Sequence, residues 1–180
     1  MKEGPLDMRM DRTTGESAAS ALNRMTPAQI ERILSEFGDE RWARAIAKKV
    51  VAKRSEAPLK TTSDLVECVL AAIPAGARDK RIHPATRTFQ ALRIYVNREL
   101  DDLEGAISAI AGALAAGGSL VVLSYHSGED RAVKNAFRSL AGDDQFLEIY
   151  RKPVLPSEAE VRQNVRSRSA KMRVLRRGQK

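Results

Sequence analysis

The chain has 180 residues, 31 Lys+Arg against 23 Asp+Glu, and a formal charge of +8. Its 43% hydrophobic content excludes a disordered chain, and its 4% aromatic content points to close-packed helices built on Ala, Leu, Ile and Val rather than a β-sandwich. The single cysteine, Cys68, excludes an intrachain disulfide framework and a Cys-rich zinc site, and fits a reducing, cytoplasmic setting. Residues 106–123 form the longest apolar run, but Ser108, Gly112, Gly117, Gly118 and Ser119 interrupt it, so no membrane span is expected. Residues 1–20 carry charges throughout and lack the apolar stretch of a secretory signal.

Residues 1–16 are polar and punctuated by Gly and Pro, which predicts a loop. A short helix is expected from Ser17. Thr26-Pro27 supplies an N-cap and a first-turn proline for the next one, ended by Gly38. Asp39 is expected to cap a longer helix to about Glu56, with Trp42, Ile46 and Val50 on its apolar stripe and Arg41, Arg44 and Lys48 on another face. Thr61-Thr62 opens a helix that Pro74 closes. A basic loop (Arg78, Lys80, Arg81) then leads to a helix start at His83-Pro84, and a further helix covers about 99–115, continuous with its predecessor or kinked near Asn97.

The period then changes. Leu120-Val121-Val122-Leu123 is a short, fully apolar run of the kind found in buried parallel strands. A helix over about 128–141 follows, with Ser127 and Asp130 expected in its cap. A strand over about 146–151, a short helix capped by Ser157, and an edge-type strand over about 171–176 complete the order. Three strands make a poor open sheet, and the apolar strand wants a neighbour on each side. The pattern therefore predicts that the front part of the sheet lies outside this sequence.

The charge is unevenly placed. Residues 1–150 balance, and the whole excess sits in 151–180, where ten basic residues from Arg151 to Lys180 face only Glu158 and Glu160. Clustered Arg and Lys fit a phosphate-rich partner, and a solvated tail is the alternative.

Segments GPLDMRMD (4–11), GDERWARAIAK (38–48), HPATRTFQALRIYVN (83–97), AGGSLVVLSYHSGEDRAVK (116–134) and RSRSAKMR (166–173) together resemble the bacterial 16S ribosomal RNA cytosine-N4 methyltransferase family. The resemblance runs over essentially the whole chain. It departs at Gly128, where the family usually has Leu, at Val165, where it usually has Pro, and at Ala21, where members can carry Trp.

The resemblance implies a helix-rich α/β fold, the C-terminal part of a class I, Rossmann-like, S-adenosylmethionine-dependent methyltransferase with a helical inserted domain. It would make 1–16 a loop continuing from the catalytic half, 17–97 the helical, substrate-recognition insertion, and 98–180 the C-terminal part of the sheet domain with a basic tail. It implies methyl transfer from S-adenosylmethionine to the N4 amine of a cytidine in 16S rRNA, with the small ribosomal subunit as partner. A separate N-terminal half or a homodimer is a further expectation. The glycine-rich and acidic cofactor motifs of the family would lie before Met1, so this chain alone is expected neither to bind the cofactor tightly nor to turn over.

The same resemblance nominates RNA-facing residues. Asp7 and Arg9 would lie at the mouth of the site, or simply hold a turn. His83, Thr86, Arg87, Gln90 and Arg93 would offer a polar strip along one helix, or a structural network. His126 follows the carboxyl end of a strand, where ligands of open α/β sheets bind. Arg168, Lys171 and Arg173 would meet the RNA backbone. No covalent nucleophile is needed, so Cys68 is read as packing, and no metal signature is present. The competing reading is a non-catalytic basic RNA-binding or ribosome-associated protein of the same descent.

Overall fold

The computed structural model describes residues 3–79 and 81–179. Lys80 and Lys180, named above, lie outside the described residues. The chain divides into two compact units, Met1–Glu99 and Leu100–Lys180.

The first unit is helical: α1 (Ala18–Arg24), α2 (Pro27–Gly38), α3 (Ala43–Glu56), α4 (Thr62–Ala72) and α5 (Thr86–Asn97). Local chemistry explains most starts. The Ser17 side chain accepts from Ser20 N–H, and Thr26 with Gln29 and Thr61 with Asp64 form reciprocal capping boxes. Leu22, Ile30, Leu34, Ile46, Val50, Leu65 and Leu92 are all 1% exposed or less and form one core. Each such side chain contributes about 1.5–3 kcal/mol by burial. The N-terminal segment is tied in too: Leu6 N–H donates to Lys60 carbonyl, and Ala18 N–H to Asp7 carbonyl.

Asp39 does not start α3. It adopts a left-handed conformation, φ 45°, and its N–H caps the end of α2 by donating to Leu34 carbonyl. Gly38 would be the usual choice for that conformation, but it is the last helical residue of α2, and its missing side chain instead admits α5. A Cβ there would lie 2.8 Å from Arg87 carbonyl oxygen and 3.0 Å from Ala91 Cβ. Asp then takes the left-handed position, which its short polar side chain tolerates. Gly38→Ala should gain up to about 1 kcal/mol of helix propensity yet lose about 1–3 kcal/mol by forcing α2 from α5. A net fall in stability on urea unfolding is expected, and an increase would show that the two helices separate freely.

The second unit contains α6 (Leu103–Gly112), β1 (Ser119–Ser124), α7 (Ser127–Ala141), β2 (Phe146–Glu148), α8 (Glu158–Gln163) and β3 (Lys171–Arg177). The α5-to-α6 boundary is a break, with Arg98 left-handed at φ 51°. The strands form an antiparallel sheet in the order β1-β3-β2, with Val121 opposite Val174 and Leu123 opposite Met172. Two expectations are corrected. The apolar run 120–123 pairs antiparallel to β3, and β3 is the central strand, not an edge.

One face of this sheet is covered. Leu120, Val122 and Phe146 pack with Ile107, Ala111, Val133, Phe137 and Leu175. Alternate residues point the other way, and there Val121, Leu123 and Leu147 are 53%, 56% and 62% exposed. Among the described residues, β1 pairs with β3 alone. The unit thus presents an apolar face beside an open strand edge.

Candidate nucleic-acid interface

In the helical unit, Asp7 and Arg9 build a loop. Arg9 grips the Asp7 carboxylate through Nε at 2.7 Å and Nη2 at 3.1 Å, while its Nη1 donates to Gly15 carbonyl. The hydrogen bond from Arg9 holds the Asp7 carboxyl below its ordinary pKa. Met8 between them is left-handed, φ 69°. Asn97 fastens this loop to α5: its Oδ1 accepts from Met10 N–H at 2.7 Å and its Nδ2 donates to Met8 carbonyl at 2.8 Å. The pair is therefore built into the turn. The Asn97 clasp escaped sequence reasoning because its two bonds join residues nearly ninety positions apart.

The α5 strip splits. Thr86 is exposed in the first turn and Gln90 is half-buried. Arg93 closes on Glu99 with bonds of 2.8 and 3.0 Å, so its charge is matched within the unit. Arg87 and His83 instead line a cleft of about 170 Å³ together with Glu40, Arg41, Trp42, Arg78 and neighbouring apolar residues. Arg87 donates one N–H to Asp39 carbonyl at 3.0 Å, and His83 Nδ1 accepts from Ala85 N–H at 3.2 Å. Trp42 sits at the N-cap of α3 with the Arg41 guanidinium 5.8 Å from its ring centre. Its ring is half-buried, which the apolar stripe had concealed. Cys68 is buried on α4, where burial pushes its thiol up to about 11, so it stays a packed, protonated group.

In the sheet unit, His126 is the N-cap of α7 rather than Ser127. Its Nδ1 accepts from Glu129 N–H at 3.2 Å, and Glu129 reaches back to accept from Tyr125 N–H at 2.8 Å and His126 N–H at 3.3 Å. His126 Nε2 lies 3.1 Å from Glu129 Oε1, without hydrogen-bond alignment. The His126 side chain beside it, with the bonds from Tyr125 and His126 N–H, holds the Glu129 carboxyl below its ordinary value. Gly128 permits this cap, since a Cβ there would approach Leu100 Cδ1 at 3.1 Å and His126 Nδ1 at 3.2 Å.

Asp130 does not cap the helix; it turns to the sheet. Arg173 meets it through Nε at 2.7 Å and Nη2 at 3.4 Å, and reaches Glu148 through Nη1 at 3.3 Å. Lys171 Nζ adds a bond to Asp130 at 3.2 Å. Arg173 is only 3% exposed, so it has no surface to offer a phosphate, and Lys171 is half-buried in the same network. This corrects the expectation for Arg173: it shares the packed face of β3 with Leu175, opposite Val122 and Leu120, and so turns inward to Asp130 and Glu148. Arg168 and Arg166, in contrast, are exposed on a one-turn 3₁₀ helix that buried Ser167 anchors to Asn164 carbonyl at 2.8 Å. Arg151, Lys152 and Arg176 are exposed as well, while Arg177 donates to Gly112 and Leu114 carbonyls at the end of α6.

These residues do not fit an S-adenosylmethionine pocket. The cleft beside Trp42, about 170 Å³, is rimmed by guanidinium groups, which repel a sulfonium, and a second cleft of the helical unit, about 260 Å³ between Met25, Ile33, Phe37 and Tyr95, is also below the roughly 300–1,000 Å³ of pockets for ligands of that size. Gly117, φ 75°, precedes β1 rather than following it, and its N–H is spent on Arg177 and Gly178 carbonyls. Among the described residues, no His/Cys/Asp/Glu group is placed to hold a metal, and no helix is long and apolar enough to cross a membrane.

The chain is a helix-rich α/β protein with a small antiparallel sheet, in keeping with the C-terminal part of a methyltransferase fold. It belongs to the MraW methylase family, whose model matches residues 1–178. It is 45% identical over 190 residues to the ribosomal RNA small subunit methyltransferase H of Geobacter sp. (strain M21), covering 97% of this chain and 61% of that protein. The protein of the same name from Geotalea uraniireducens (strain Rf4) is 47% identical over 186 residues, covering 95% and 60%. That from Synechococcus elongatus is 46% identical over 176 residues, covering 98% and 57%. The chain thus spans about three-fifths of the length of these relatives.

Proposed function

We propose that this chain supplies the RNA-contacting and sheet-closing share of an S-adenosylmethionine-dependent methyltransferase acting on a cytidine N4 amine of small-subunit ribosomal RNA. The family match over residues 1–178 carries the reading. The donor pocket then belongs to the two-fifths of the relatives' length that this chain does not match. The apolar face of Val121, Leu123 and Leu147, with the open edge of β1, is the surface that such a region would complete. On this reading the helical unit is the substrate-recognition insertion. The exposed Arg166 and Arg168 hold the RNA backbone, and Asp7, Arg9 and His126 shape the loops that carry the site.

The chemistry asked of these residues is positional. The cytosine amine is a weak nucleophile, because its lone pair is delocalised into the ring. Holding it in line with a methyl donor lowers the barrier without a covalent intermediate, and reaching it requires an unstacked base. The test supplies the complementary region of a relative as a second polypeptide. Transfer of labelled methyl groups to unmodified small subunits is expected with both polypeptides together and not with this chain alone. Transfer by the isolated chain, or none by a complex that binds the cofactor, overturns the proposal. Binding of RNA by an unassisted chain that forms no complex would favour the non-catalytic reading.

A further inference from the structure

We propose that the cleft at the start of α3 binds one unpaired RNA nucleotide, its base against Trp42 and its phosphate between Arg41 and Arg87. The inference rests on the RNA reading above and adds a specific subsite to it. The cleft's volume of about 170 Å³ lies below the roughly 300–1,000 Å³ of pockets for drug-sized ligands, so it suits a single ring rather than a whole cofactor.

The lining decides the chemistry. Arg41, His83 and Arg87 are exposed at the rim. Arg87 spends one N–H on Asp39 carbonyl, and a guanidinium has five to give. Two carboxylates share the lining: buried Glu40 accepts from Trp42 N–H at 2.9 Å, and Asp79 accepts from Arg81 N–H at 2.8 Å, its carboxyl held below the ordinary value first by the bonds from Arg81 and also by the charges of Arg81 and Arg87. A planar aromatic group in a lining where Arg41, Arg78 and Arg87 outnumber Glu40 and Asp79 selects a ligand that is planar at one end and anionic at the other. The cleft is also held open in advance. Arg78 donates to Leu70 carbonyl at 2.7 Å and Ile73 carbonyl at 3.1 Å, fixing the exit of α4 as one wall. Outside it, Arg44 and Lys48 are exposed on α3 at the helical spacing that follows Arg41, so the positive surface continues along the path of a strand. A duplex, whose bases are stacked and paired, could not place a base in the cleft.

Trp42 is the sole tryptophan of the chain, so its emission reports on this site alone. The full chain is titrated at low salt with fluorescein-labelled hexacytidylate RNA, reading label anisotropy and Trp42 emission together. Saturable Trp42 quenching is expected with the same midpoint as the anisotropy change. Arg41→Glu and Arg87→Glu should each weaken binding about tenfold, within the range of a single base–aromatic and phosphate contact, with circular dichroism unchanged. Arg41→Gln, which keeps the side-chain length, serves if the charge reversal unfolds the unit, and should weaken binding in the same direction. Anisotropy binding with no change in Trp42 emission, or with affinity unaltered in these variants, overturns the subsite and leaves the RNA reading standing. No RNA binding at any salt overturns both.

Discussion

Arg173→Met is expected to destabilise the sheet unit by about 3–5 kcal/mol, the range for removing one partner of a buried ion pair. Arg173 bridges two carboxylates at once, Asp130 through Nε and Nη2 and Glu148 through Nη1. Their side chains are 13% and 12% exposed, so the loss strands charge where water cannot replace the guanidinium. Lys171 still touches Asp130 but makes no bond to Glu148. Arg173→Lys should recover little, because an ammonium cannot reproduce the planar fork. Adding Asp130→Asn and Glu148→Gln to Arg173→Met should return much of the stability, since neutral groups tolerate the site better than orphaned ions. Urea unfolding of the full chain measures all three variants, and a loss below about 1 kcal/mol for Arg173→Met would falsify the structural role.

The network also sets an acid limit. Burial opposes ionisation of Asp130, but Arg173 and Lys171 outweigh it, so the carboxyl ionises below its ordinary value. The unfolded chain keeps the ordinary value, so it binds the proton first as pH falls. The stabilisation is complete above the unfolded pKa of about 3.9 and is lost as pH drops through the lowered native value. Stability of the wild-type chain should therefore fall more steeply below about pH 4 than that of the triple variant with Arg173, Asp130 and Glu148 neutralised. Equal slopes would show that other carboxylates govern acid unfolding.

What was legible in the sequence follows from how far each cause reaches along the chain. Thr26-Pro27, Thr61 and Ser157 announce their helices because a cap is satisfied within three residues. Asp39 carries the same side-chain chemistry, yet it ends a helix, because the approach of α5 to Gly38 is a tertiary fact. The alternation over 171–176 reads as an edge-type strand, and only the position of Asp130 and Glu148 shows that Arg173 points inward. His126 was legible as a residue at a strand's carboxyl end, but its capping role depends on Glu129 folding back. Trp42 fits an apolar helical period, and the cleft beside it exists only once Ile73 at the end of α4, residues 77–79 and residues 82–84 are in place. The family resemblance reached further than periodicity could, because segments such as 83–97 and 116–134 carry long-range constraints that no local rule encodes.

The exposed sheet face makes the second large prediction. Val121→Lys with Leu123→Lys should weaken association with the complementary region of a relative by at least about thirtyfold. Both side chains are already about half-covered, so completing their burial is worth roughly 1 kcal/mol each, half the usual 1.5–3 kcal/mol of an aliphatic side chain. That sum alone is about thirtyfold in affinity, and two unpaired ammonium groups forced into an apolar contact add to it. The isolated chain should lose little stability, because the substitutions stand on the solvent side of β1 while Leu120 and Val122 keep the packed side. The pair of measurements separates the two roles of the strand. Unchanged unfolding with lost association places the complementary region on this face, and it should abolish methyl transfer by the mixture while leaving RNA binding through Arg41 and Arg87 intact. Association as tight as wild type would move the contact elsewhere, because no face that buries two lysines without partners could keep its affinity.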